Sequence, residues 1–192
     1  MATKGFFRSA QHEHADPGRG KIAASVLPPE TDELAALLAN DPAPEVRVAA
    51  ANRCGNLAAL AGAWEHETDP AVRAVLASTL ARVLVETRDS GSASAFLSGE
   101  PCPDAIRVAV VRNAPEMERR RSAIGAIRDE ALLVDLALSA EHAETRIAAA
   151  VRVRKPEALR ELVDAARNKD KGVARVARTR LDAMANYGDK TA

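Results

Sequence analysis

Apolar residues along this chain recur at three- and four-residue steps, in short runs broken every ten to fifteen residues by turn formers. Val46, Ala49 and Ala50 share one helical face, and Leu57, Leu60, Ala61 and Trp64 share another after a brief break. Each such pair of short amphipathic segments predicts a helical hairpin of about 25–30 residues, which must stack on a neighbour to bury its apolar side. The hairpins are punctuated by a repeated start signal. Asp16-Pro17, Asp41-Pro42 and Asp69-Pro70 carry an acceptor suited to free helix amides, followed by a proline that fits the first turn. Val46-Arg47 and Val72-Arg73 follow the second and third of these. Weaker copies begin at Pro103-Asp104 (with Arg107), His142 (with Arg146) and Lys169-Asp170 (with Val173 and Arg175). Met117–Ile127 and Leu132–Ala137 predict two more helices. The total is about ten to twelve helices between residues 16 and 186, with no strand-like alternation.

The expected organisation is a flexible arm over residues 1–15, one repeat array over 16–186, and a frayed tail over 187–192. Phe6 and Phe7 interrupt the polar arm and either cap the first repeat or lie exposed. Residues 88–104, rich in Ser, Gly and Pro, predict an irregular segment around one poor helix carrying Phe96 and Leu97, where a bend is expected. No polar terminal cap is evident at the C-terminal end, as expected for one part of a longer protein.

Composition sharpens this picture. Alanine dominates the apolar content and aromatics are 3% of the chain, which suits closely stacked helices rather than a globule built on large anchors. No apolar run reaches membrane-spanning length, and Cys54 and Cys102 match no metal or redox spacing, so a cytoplasmic protein is expected. The formal net charge of zero conceals a gradient. Residues 1–104 hold 9 Lys+Arg against 14 Asp+Glu, and residues 146–180 hold 11 against 4.

The Asp-Pro…Val-Arg…Ala pattern resembles the HEAT-like repeats of the short variety found in phycobilin lyases. That resemblance implies an all-α, right-handed solenoid of stacked helix hairpins. It also implies that Asp41, Arg47, Asp69, Arg73, Arg107 and Arg146 join successive repeats. Phe6-Phe7-Arg8, His14-Ala-Asp16-Pro17 and the run Ala166–Arg178 look similar to the repeat region at the start of large bacterial proteins that combine HEAT-like repeats with coiled coils and are known only as a domain of unknown function. This likeness brings no catalytic residues with it.

Candidate chemistry is sparse. His12-Glu13-His14 on the arm is a poor metal set without a third ligand, and no metal or cofactor is expected. Pro17-Gly18-Arg19-Gly20 misses phosphate-loop and dinucleotide spacings, and no nucleophile elbow appears, so no enzyme is expected. The functional lead is basic. On a helix over 171–184, Val173, Val176, Ala177, Leu181 and Met184 form the apolar stripe. Lys171, Arg175 and Arg178 fall on another face. Arg152, Arg154 and Lys155 close the preceding hairpin helix, and Arg119, Arg120 and Arg121 add a third cluster. Aligned by stacking, these nine would form one ridge for an acidic protein partner or, alternatively, for the phosphates of a nucleic acid. The competing reading is an ordinary solvated face, partly paired with Glu157, Glu161 and Asp164. The chain is thus expected to be a non-catalytic scaffold with a protein partner, and a nucleic-acid-binding module is the alternative. Neither a membrane nor a small-molecule substrate is expected.

Overall fold

The computed structural model describes residues 16–188; Phe6, Phe7, the His12–Glu13–His14 run and the tail from residue 189 lie outside them. The described residues are all helix and turn, with twelve helices and no strand. They are α1 (Pro17–Val26), α2 (Asp32–Asn40), α3 (Pro44–Arg53), α4 (Leu57–His66), α5 (Pro70–Glu86), α6 (Ser90–Ser98), α7 (Asp104–Asn113), α8 (Met117–Ala126), α9 (Glu130–Ser139), α10 (Ala143–Arg152), α11 (Pro156–Ala166) and α12 (Lys171–Gly188). None is long and apolar enough to cross a membrane. The chain divides into two compact units between Leu84 and Val85, inside α5. The last helix extends past the expected start of the tail, to Gly188.

Short polar side chains start many of the helices by accepting from amides that have no partner in the first turn. Asp16 takes the Gly18 amide, Thr31 that of Leu34, Asn56 that of Ala59, and Asp129 that of Ala131. Asp69 takes Ala71 and Val72 together. Asp41 departs from the pattern expected of it. The helix begins at the second proline, Pro44, and Asp41 turns the chain one step earlier by accepting from the Ala43 amide at 2.9 Å.

In the first unit, α2 packs on α3, α1 on α3, and α2 on α4. Leu34, Leu38, Val46, Ala50, Leu60, Leu76 and Leu80 are buried there. Gly20 lets α1 approach closely: a Cβ at that position would stand 2.7 Å from Val46 Cγ2. In the second unit α7 and α8, α9 and α10, and α11 and α12 form hairpins. These stack as two rows, α6–α8–α10–α12 and α9–α11. Helices of one row touch their counterparts in the next hairpin, so each apolar stripe is covered by the repeat beside it. The irregular segment resolves into α6, which buries Ala93 and Leu97 and leaves Phe96 half-buried.

Candidate functional site

Two groups of arginines serve the helix ends. The first group points inward and closes helix ends. A helix leaves its last carbonyls without amide partners, and a guanidinium has five N–H donors to offer them. Arg47 donates to the Asp41 and Pro42 carbonyls, Arg73 to those of Trp64 and Glu67, and Arg107 to those of Leu97 and Gly99. Arg120 donates to Ala114 and Pro115, and Arg146 to Ala140 and Glu141. The remaining N–H groups of three of them reach the next repeat. Arg47 forks onto the Glu67 carboxylate at 2.7 and 3.0 Å, Arg146 meets Asp170 at 2.7 Å, and Arg120 meets the Thr145 hydroxyl at 2.9 Å. The acids are therefore Glu67 and Asp170, where the resemblance implied Asp41 and Asp69. Arg47 holds the Glu67 carboxyl below its ordinary range, and Arg146 does the same to Asp170. Arg73 also stacks over the Trp64 ring, 4.0 Å from its centroid, which ties the lone tryptophan into the core.

This removes two residues from the expected ridge. Arg120 is 5% exposed and is fully engaged inside the repeat. Arg119 is turned to the carbonyls of Val85 and Thr87, where α5 ends and needs donors. Both serve the fold.

A second group occupies the tenth position of its helix. Arg53 in α3 and Arg180 in α12 each donate Nε–H to the carbonyl that caps the equivalent helix one repeat earlier, Leu27 at 3.0 Å and Val153 at 3.2 Å. Arg152 holds the same tenth position in α10, and the matching carbonyl would be that of Ile127, the cap of α8. That bond is not made. Nε of Arg152 is buried and has no hydrogen-bond partner among the described residues.

Arg152 lies on a cleft of about 740 Å³ built wholly within the second unit. Arg121, Ser122 and Gly125 of α8 line it, with Ile127 and Arg128 from the following turn. Leu133 and Glu130 come from α9, and Arg154 follows α10. A Cβ at Gly125 would touch nothing. Arg128 is paired with Glu100 across the rim, and Glu130 accepts the Arg154 backbone amide at 3.0 Å. Arg121, at 62% side-chain exposure, has only Glu118 nearby, at 4.0 Å.

The structure thus brings together Arg121, Arg152 and Arg154 of the expected nine. Lys155 is exposed beside the cleft, with its amide on Glu130. Lys171, Arg175 and Arg178 are exposed on α12 and do not line it. Sequence reasoning missed Arg128, although Ile127-Arg128 and Val153-Arg154 mark the same position in successive repeats. Cys54 and Cys102 are free and buried. Burial pushes both thiols up, Cys102 to about 11, which makes them poor nucleophiles. No group of three metal-binding side chains occurs among the described residues.

Fold and cleft together define the class, an all-helical array of stacked hairpins with a cationic cleft in its second unit. Compared with family models, curated proteins and solved structures, the chain matches none of them.

Proposed function

We propose that this chain is a non-catalytic scaffold of HEAT-like repeats that binds an acidic protein partner. One observation carries the reading: three arginines that the fold does not consume converge on a single cleft. The inward arginines are engaged by carbonyls and side chains of the fold, whereas Arg121, Arg152 and Arg154 keep donors free for a partner. Guanidinium groups stay protonated, so such a lining offers fixed positive charge and forked donors suited to carboxylates. The two buried, free thiols suit a cytoplasmic setting.

The alternative of nucleic-acid binding draws support from Lys171, Arg175 and Arg178, all exposed on α12. A titration of the chain with a labelled generic duplex at low and moderate salt separates the two readings. A scaffold gives no duplex binding, and its protein partner stays bound after nuclease treatment. Duplex binding that weakens steeply with salt and disappears on changing Arg175 and Arg178 to Glu would replace the scaffold by the alternative.

A further inference from the structure

We infer that the cleft around Arg152 receives carboxylates from an extended acidic segment of the partner, with Arg152 as the anchor. This rests on the scaffold reading and names the chemistry of its contact. Arg53 and Arg180 show what the tenth-position arginine does in this fold: it gives Nε–H to the previous cap. Arg152 alone of these three keeps a buried donor without an acceptor. A buried donor left unpaired is unfavourable, and native proteins tolerate few of them. An acceptor brought by a ligand removes that penalty only while the ligand is bound.

The fold already contains the mode of capture. Arg47 holds Glu67 side-on, with Nε and Nη2 on the two carboxylate oxygens. Arg152 brings the same guanidinium group to the lining of the cleft, with its Nε–H buried and unpaired. The neighbouring charges fit a chain rather than a single ion. Arg121 lies on α8 and Arg154 follows α10, and these two helices pack against each other in one row. Axes of packed helices lie about 8–10 Å apart. A polyproline II segment rises about 3.1 Å per residue with three residues per turn, so acidic side chains three residues apart share one side, about 9 Å apart, and meet the two repeats in register. A volume of about 740 Å³ falls within the usual size of a ligand cleft, and Ile127 and Leu133 add apolar contact for the segment. A single-stranded nucleic acid would require stacking aromatics, and none of the lining residues is aromatic.

The test is fluorescence anisotropy with the intact chain and a labelled extended peptide carrying aspartates three residues apart. The same peptide with asparagines serves as the comparison. Expected is salt-sensitive binding of the aspartate peptide alone, weakened at least about tenfold by Arg152→Gln and by Arg154→Glu. Arg175→Glu/Arg178→Glu should leave it unchanged. Arg152→Gln should melt no lower than the parent, because it removes an unpaired donor from the interior; this separates loss of binding from loss of fold. Undiminished binding by Arg152→Gln, or an equal loss on reversing the α12 arginines, would overturn the assignment, as would failure of the aspartate peptide to bind. If the peptide fails while a nuclease-resistant protein partner still binds, only the cleft assignment falls. If a duplex displaces the peptide, the scaffold reading falls with it.

Discussion

Replacing Arg120 by Ala is expected to destabilise the second unit by about 3–5 kcal/mol. The side chain is 5% exposed and makes three short hydrogen bonds. Nη1 donates to the Ala114 carbonyl at 2.8 Å and the Pro115 carbonyl at 2.6 Å, and Nε donates to Thr145 Oγ1 at 2.9 Å. Each such bond from a charged donor is worth about 1.5–3 kcal/mol, but not additively, because water regains part of the loss at a helix end. Against a typical total stability of about 5–15 kcal/mol the remainder is large. In a unit of this size it corresponds to a fall of about 10–25 °C in melting temperature. The assay is urea unfolding followed by circular dichroism, since Trp64, the one tryptophan, lies in the first unit and does not report on the second. The midpoint should drop with an unchanged slope. A cycle with Thr145→Val should show coupling of about 1 kcal/mol, because the two side chains share one bond that crosses between α8 and α10. Arg121→Ala, one residue along and 62% exposed, should stay within about 0.5 kcal/mol of the parent. An Arg120→Ala protein within about 1 kcal/mol of the parent would refute the inward role, and so would an equal cost for Arg121→Ala.

Three further outcomes can be checked. Glu67 and Asp170 are held below their ordinary range by arginine, so each contributes stability that is present above the unfolded carboxyl value near 4 and is lost as pH falls through the lowered folded value. The melting temperature should therefore fall steeply only in acid, and Glu67→Gln should flatten that limb; an unaltered limb would contradict the linkage. Gly62→Ala should raise stability by up to about 1 kcal/mol, since its Cβ meets nothing. Gly20→Ala should lower stability by about 1–3 kcal/mol through the Val46 overlap; thermal melts that rank them in the opposite order would sink this account. Cys54 and Cys102 should resist a thiol reagent in the native chain and both react after denaturation, and prompt labelling of either would mean its burial is misjudged.

Much of the fold could be read from the start signals. Asp16 and Asp69 act as caps, and the apolar steps locate α3, α4, α8 and α12 within a few residues. Asp41 misled because two prolines follow it, and only the second, Pro44, begins the helix. The arginines were harder to read, for a geometric reason. Consecutive residues on a helix point about 100° apart, so Arg119, Arg120 and Arg121 face three different surroundings although they adjoin in sequence. Arg120 falls three residues before Ala123 and four before Ile124, both buried, and that spacing carried the signal of an inward side chain. The cleft left no comparable trace. It exists only where the ends of α6, α8 and α10 come side by side, and its telling feature is one hydrogen bond that its counterparts make and it does not.

The arginine bridges have a consequence for how the chain acquires and changes its structure. They link residues 20, 24 and 25 positions apart, at Arg47–Glu67, Arg146–Asp170 and Arg120–Thr145. Closing such modest loops costs little chain entropy, and proteins held by near-sequence pairings fold quickly. Order can therefore spread from one hairpin to the next within each unit, without waiting for distant segments to meet. A lacing made only of nearest-neighbour stitches also tolerates editing. Each stitch joins only adjacent hairpins, so a change in one hairpin bears on its own two junctions and leaves the more distant ones intact.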